Sequence, residues 1–353
     1  MDNTNVWLIG DTHFGLKGDD SEWLDDYIGY FENHLIPTMM ESAGKNDILI
    51  HCGDVFDNRS NVGLETLTRV ISLFEKFSEI FGDIRIIVGN HDMMRKSSTE
   101  ITALNALKHI KNVKVYFEPS VEEICGKSCL FNPWIEDLDE ERKLLDSVDV
   151  DYIFGHLMIG GSRNSDRSGG NVILQNGVKM SDFKSAQVYA GHIHIRQDNK
   201  NVHYVGNPYH KDRGDIGNTK GITVLDISTG ESKFIENTYS PIYVRDNIYD
   251  ILNLTIGDVK NRWKNNRVEL HVNGKDMPKL NVDEFTRSLD KCYKSFSVIG
   301  DSTPTELNIS TDVGFGDAMS SDEYVSEFLN NQDLESGFRK MVDDKLEEFR
   351  YRI

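Results

Sequence analysis

No stretch of the chain approaches the ~18 consecutive apolar residues that a membrane-spanning helix needs, so no such span is expected. The opening residues MDNTNVWLIG have no basic leader and no cleavage site, so no secretory signal is expected either. Cysteine is scarce. Cys52, Cys125, Cys129 and Cys292 form no CxxC pair, which points to reduced thiols in a cytoplasmic protein rather than a disulfide framework. There is no GxSxG element to serve as a nucleophile elbow, and no internal repeat. Positive charge is short as well: 39 Lys and Arg stand against 58 Asp and Glu, a net charge of −19. That balance is unexpected for a nucleic-acid binder, whose phosphate contacts usually come from a basic face. Its distribution softens the objection. Residues 301–353 hold 13 acidic and 5 basic side chains, hence −8 of the −19. Metal ions held by carboxylates also supply local positive charge.

What is present is a regular alternation over a chain long enough, at 353 residues, for one large domain and a smaller one. The runs VWLIG, DILIHCGD, IRIIVGN, CLFNPW, DYIFGH, QVYAGH, VHYVGN and GITVLDI predict strands, most of them buried on both faces. Between them Leu64, Leu67, Ile71, Phe74 and Phe77 recur at helical spacing, as do Trp23, Tyr27 and Phe31; core faces are expected of both. SSTEITALNALKHI predicts a further helix opened by a capping box, Ser97 with Glu100. The class is therefore α/β. After ENTYSPI the texture changes. RVELHV, a stripe of Phe285, Leu289 and Cys292, and SFSVIG predict a small α/β unit. A polar, turn-rich linker and two amphipathic helical segments follow.

Five of the runs end in Gly followed by Asp, Asn or His: Gly10-Asp11, Gly53-Asp54, Gly89-Asn90, Gly155-His156 and Gly191-His192. Polar groups just past buried strands are where open α/β sheets place ligand sites. Glycine lets the chain turn sharply there and lets backbone approach a ligand. Collected, these ends offer Asp11, His13, Asp54, Asn90, His156, His192 and His194. In DTH and HIH two ligands stand two residues apart, so an extended segment would project both to one side. Asp54 could bridge two ions, and Asn90 offers a neutral carbonyl oxygen. Imidazole with carboxylate suits Mn, Fe or Zn rather than Ca. Seven such groups suffice for two ions, the arrangement used in phosphoryl transfer. Any one of them alone reads as a turn or a satisfied polar core group; five such ends in order do not.

GDTHFG, GDVFDN, GNHD, GH and GHIH resemble, in order, the signature of the calcineurin-like metallophosphoesterases. The details are similar to their DNA-repair nucleases: bacterial SbcD, the meiotic-recombination nuclease and the recombination endonuclease subunit of large tailed phages. FNPW and GHIHIRQDNKNVHYVGNPYH carry the same resemblance. It implies a four-layer β-sandwich flanked by helices over residues 1–237. It further implies a small α/β capping domain over 238–300, an acidic linker over 301–320 and a helical partner-binding segment over 321–353. Asp11, His13 and His194 would hold one divalent ion and Asn90, His156 and His192 the other, with Asp54 between; manganese is expected, magnesium being the alternative. His91 would stabilise or protonate the leaving oxygen, and Asp92 would orient His91 or support the loop. Asp57 stands where eukaryotic and archaeal relatives carry His, which favours the phage and bacterial branch.

The resemblance implies a DNA exonuclease and endonuclease of recombination, repair and replication. It would work as a homodimer, through helices near 22–36 and 62–80, with an SbcC-type coiled-coil ATPase, in the host cytoplasm if phage-encoded. Phe328, Leu329, Phe338, Met341 and Phe349 would dock on that ATPase, the usual mode of an exposed amphipathic helix, with packing on the protein's own body as the alternative. Arg163, Arg167, Lys211 and Arg213 are candidates for DNA phosphate contacts, and KNNR in the small unit is another, with a solvated loop as the plainer reading of each. Two other functions compete. Another calcineurin-like phosphatase or phosphodiesterase fits the motifs, though GDVFDN and GNHD differ from the phosphatase forms. A catalytically silent scaffold would have lost ligands that are all present here.

Overall fold

The computed structural model describes residues 4–94, 101–165, 171–273, 287, 289 and 291–301. Arg167, Phe328, Leu329, Phe338, Met341 and Phe349, the proposed capping box and the acidic linker after Asp301 lie outside the described residues. In chain order the first strands are β1 (Asn5–Ile9), β2 (Ile48–His51), β3 (Asp83–Ile87), β4 (Val113–Tyr116), β5 (Ser120–Ile124), β6 (Lys127–Asn132), β7 (Tyr152–His156), β8 (Arg163–Ser165) and β9 (Asn171–Ile173). Then come β10 (Gln187–Gly191), β11 (Gln197–Asn199), β12 (Val202–Tyr204), β13 (Gly221–Asp226), β14 (Ser232–Glu236), β15 (Tyr243–Asn247), β16 (Arg267–Asn273) and β17 (Ser295–Asp301).

Two six-stranded sheets face each other. One runs β14-β13-β1-β2-β3-β4, with β1 to β4 parallel and β13 and β14 antiparallel at one edge. The other runs β11-β12-β10-β7-β6-β5, again with four parallel strands inside and an antiparallel strand at each edge. The alternation along each strand makes the layers. Val6 and Leu8 of β1, Ile48 and Ile50 of β2, Phe131 of β6, and Tyr152 and Phe154 of β7 fill the space between the sheets. Trp7, Ile9 and Leu49 point the other way, onto helices Ser21–Tyr30 and Leu64–Ile80. On the far side Leu130, Ile153 and Val188 meet helix Leu138–Ser147 through Leu145. The result is helix, sheet, sheet, helix, the four-layer arrangement expected for the class.

All eight apolar runs are strands. The helical stripes differ in detail. Helix Leu64–Ile80 buries Thr66, Val70, Leu73, Phe74 and Phe77. Leu67 and Ile71 flank that face, while Leu64 is 82% exposed because it opens the helix on the solvent side. The segment expected as a helix through ALNALKHI is a 3-10 helix, Ala103–His109, capped by Thr102 accepting from Leu104 N. Its tighter turn buries Leu104 and Leu107 three residues apart, and the chain must enter β4 almost at once.

Beyond the sandwich, β15-β16-β17 form a parallel three-stranded sheet with its own core of Trp263, Val268, Leu270 and Leu289. Helix Ile256–Trp263 covers it, opened by a Thr255–Asp258 capping box. Arg267, expected in a solvated loop, is buried: it pairs with Asp26 at 2.6 Å and lies 3.6 Å from the centre of the Trp23 ring. The small sheet is thereby fastened to helix Ser21–Tyr30, and Lys294 adds a second contact to Asp26 at 2.9 Å. Among the described residues no helix is long and apolar enough to cross a membrane, and all four cysteines are free thiols.

Candidate metal centre

The loops that leave β1, β2 and β3 in one sheet and β10 in the other, with the last residue of β7, converge at one end of the sandwich. The first two loops run side by side. Asp11 N donates to Gly53 O at 3.0 Å, His13 N to Asp54 O at 3.0 Å and Phe14 N to Val55 O at 2.8 Å. Gly89 permits the third loop to press on the second, since a Cβ there would fall 2.2 Å from both Asp54 N and Asp54 Oδ1. Gly53, at φ +94°, leaves room for the His156 ring, whose Nδ1 would sit 2.4 Å from an added Cβ.

The seven predicted ligands come together. Within 4.8 Å of one another lie ligand atoms of Asp11, His13 and His194, and likewise of Asp11, Asp54 and His156. His13 Nε2 is 3.1 Å from His194 Nε2 and 3.6 Å from Asp54 Oδ2. His156 Nε2 is 3.5 Å from the same Asp54 Oδ2 and 2.8 Å from Asn90 Oδ1, and His192 Nδ1 is 3.1 Å from Asn90 Oδ1. Asp54 thus stands between two groups. The spacing argument for DTH and HIH is corrected. Asp11, His13 and His192 have φ of 52°, 45° and 90°, so these are left-handed turns rather than extended segments. Asp54 shares the feature at 55°. Non-glycine residues held there cost on the order of 1–3 kcal/mol each and cluster at functional sites.

The donor chemistry fits a cation. His156 Nδ1 faces Cys52 O at 2.9 Å; a carbonyl only accepts, so Nδ1 carries the proton and Nε2 presents a lone pair to Asn90 and Asp54. Oxygen and nitrogen lone pairs at such distances need a proton or a cation between them. Without a metal, the proton wins: burial alone would lower the His156 pKa, but the Asp54 charge raises it to about 9. Burial would raise Asp54, and the His156 charge overrides it and holds the carboxyl well below the usual range. Burial raises Asp11 to about 7 and lowers His192 to about 3. Burial, with Lys211 adding to it, pushes His13 and His194 well below the ordinary value. His13 Nδ1 lies 3.2 Å from Asp57 Oδ1, outside hydrogen-bond alignment, and is a buried atom with no hydrogen-bond partner.

His91 sits beside this set. Its N donates to Asp54 Oδ1 at 2.7 Å, its Nδ1 meets Asp57 O at 2.6 Å, and its ring is 4.8 Å from that of His13. Asp92 does not touch the His91 ring. It is buried and accepts from Gly89 N at 2.9 Å and Phe56 N at 3.1 Å, tying two ligand loops together. Of the phosphate-contact candidates, Lys211 reaches the centre, with Nζ 3.5 Å from His194 Nε2. Arg213 pairs with Glu269 at 2.8 Å, and Arg163 opens the exposed β8–β9 hairpin. Three supports surround the ligands, of which FNPW carried Trp134 in the resemblance and Lys220 was not singled out by sequence. Trp134 packs its ring 4.8 Å from His192, Tyr209 OH donates to Thr12 O, and Lys220 Nζ donates to His194 O at 2.8 Å. GNPYH hinted at Tyr209; a single Lys before a strand carries no such signal.

Two facing sheets with a mixed His, Asp and Asn set at their strand ends define a metallophosphoesterase. Residues 4–196, more than half of the chain, match the calcineurin-like phosphoesterase family, and the chain belongs to it. Over 242 residues it is 28% identical to exonuclease subunit 1 of Enterobacteria phage T4, covering 65% of this chain and 66% of that protein, just under two thirds of its length. Among solved structures, an archaeal phosphodiesterase aligns at TM-score 0.34 and 16% identity, over 66% of this chain and 99% of its own. The phosphopantetheinyl hydrolase of Mycobacterium tuberculosis aligns at 0.32 and 13%, over 58% and 90%.

Proposed function

We propose that the chain is a two-metal-dependent DNA nuclease, with exonuclease and endonuclease action, in recombination and double-strand-break repair. The observation that carries this is the complete set of Asp11, His13, Asp54, Asn90, His156, His192 and His194 around a shared Asp54, with His91 beside it. The exonuclease name of the phage relative supports a nucleic acid as the substrate, which we take to be DNA. Divalent ions held by these residues, manganese first, would supply Lewis-acid charge to the phosphate oxygens and the attacking water. The chain's own part falls to His91. With its Nδ1–H donated to the Asp57 carbonyl, Nε2 is the atom that passes a proton to the leaving oxygen.

The larger assembly belongs to the same proposal: a catalytic domain over 1–237, a capping domain over 238–300 and a tail that docks on an SbcC-type ATPase in the cytoplasm. A homodimer would use the helices near 22–36 and 62–80, where Leu64 is exposed. His91→Ala tests the chemistry. DNA cleavage with Mn²⁺ should fall by roughly 10²–10⁴-fold. Equal cleavage by both proteins would refute the assignment of His91.

A further inference from the structure

We propose that Lys211 is the chain's own ligand for the scissile phosphate, presented at the metal centre by the buried Lys220–Asp215 pair; this rests on the phosphodiester-cleaving reading above. Around Lys211 three cations are already neutralised: Lys220 by Asp215, and two arginines by carboxylates of their own. Arg213 is paired with Glu269 at 2.8 Å, and Arg267 with Asp26 at 2.6 Å. Lys211 has no ion-pair partner among the described residues. Its Nζ instead approaches His194 Nε2 at 3.5 Å.

The position of Lys211 is built rather than incidental. Its backbone N donates to Asp215 Oδ2 at 2.7 Å, and Asp212 N reaches the same oxygen at 3.2 Å. Asp215 is ion-paired with Lys220, and both side chains are 2% exposed. Lys220 Nζ also donates to His194 O at 2.8 Å and to the Asn207 side chain. One buried cation therefore fixes both the ligand His194 and, through Asp215, the backbone of Lys211. From the same loop Tyr209 reaches back to Thr12 O, between Asp11 and His13. A single loop, 206–220, ties together the three residues of one half of the centre and sets a free ammonium beside them.

An ammonium next to a bound divalent ion is repelled unless an anion lies between them. A phosphate oxygen is the anion this site exists to receive, and a charge-assisted N–H···O bond is the contact Lys211 would make. Lys211 also lines a cavity of about 720 Å³, together with Lys17, Tyr243 and Phe296.

Calorimetry of inorganic phosphate binding to the full, Mn²⁺-loaded chain tests this, with Mn²⁺ affinity measured in parallel. Lys211→Met should weaken phosphate binding by on the order of tenfold to a hundredfold. Lys211→Arg should restore most of it, and Mn²⁺ should bind no more weakly than to wild type. The kcat/KM for bis(p-nitrophenyl) phosphate should fall in the same proportion. Unchanged phosphate affinity in Lys211→Met overturns the proposal, and so does a parallel loss of Mn²⁺ affinity, which would make Lys211 a support of the metal site. Wild type that binds phosphate and cleaves the small diester but not DNA would refute the nuclease reading and leave Lys211 standing.

Discussion

The half of the centre made by Asn90, His156 and His192 is braced by backbone close to its own strand ends; the half made by Asp11, His13 and His194 leans on a loop that comes from the far side of the sequence. In the first, Cys52 O holds the His156 ring, and Asp92 joins Gly89 N to Phe56 N. In the second, Tyr209 braces Thr12 from 197 residues away, Lys220 braces His194, and His13 Nδ1 is left without a hydrogen-bond partner. One ligand set is braced by contacts near its own strand ends, whereas the other is braced by a buried ion pair on a distant loop. His192 N, donating to Asp11 Oδ1 at 2.9 Å, is the link between them.

Breaking each brace separates the two cases. Lys220→Met leaves Asp215 buried and unpaired, and should cost roughly 3–5 kcal/mol of stability in a denaturant titration. A cost near zero would mean that the loop holds without its ion pair. Asp92→Ala removes two buried hydrogen bonds from the other half and should cost about 1–3 kcal/mol. If it costs more than Lys220→Met, the ordering of the two halves is wrong.

A third expected effect is one of pH. The folded pKa of His156, about 9, is raised above its unfolded value of about 6.5. In metal-free protein its contribution to stability is therefore fully present below pH 6.5 and lost as pH rises through about 9. A cation must displace that proton, so Mn²⁺ binding should release protons at pH 7 to 8 and tighten as pH rises. Calorimetry in two buffers of different ionisation enthalpy reads the release directly; identical heats in both would contradict it.

The same division explains what sequence could reveal. The eight apolar runs and the five Gly-polar ends carry the sandwich and its seven ligands because β2, β3, β7 and β10 are buried almost throughout. Strands β4, β5 and β14 were not foreseen. They are edge strands with exposed Lys and Glu, so their pattern is that of a loop. The left-handed turns at Asp11, His13 and His192 were hidden for another reason: nothing in DTH or HIH tells a turn from an extended segment. Asp215 and Lys220 escaped notice because a buried ion pair is a property of the assembled loop, and singly each residue reads as surface charge.

The central claim is that Asp54 stands between two cations held by these two ligand sets. Anomalous diffraction at the manganese edge, from crystals grown with Mn²⁺, addresses it most directly. Two peaks flanking Asp54 are predicted, one beside Asp11, His13 and His194 and one beside Asn90, His156 and His192. A map with no peak among these seven residues, or with peaks that Asp54 does not touch, would contradict it.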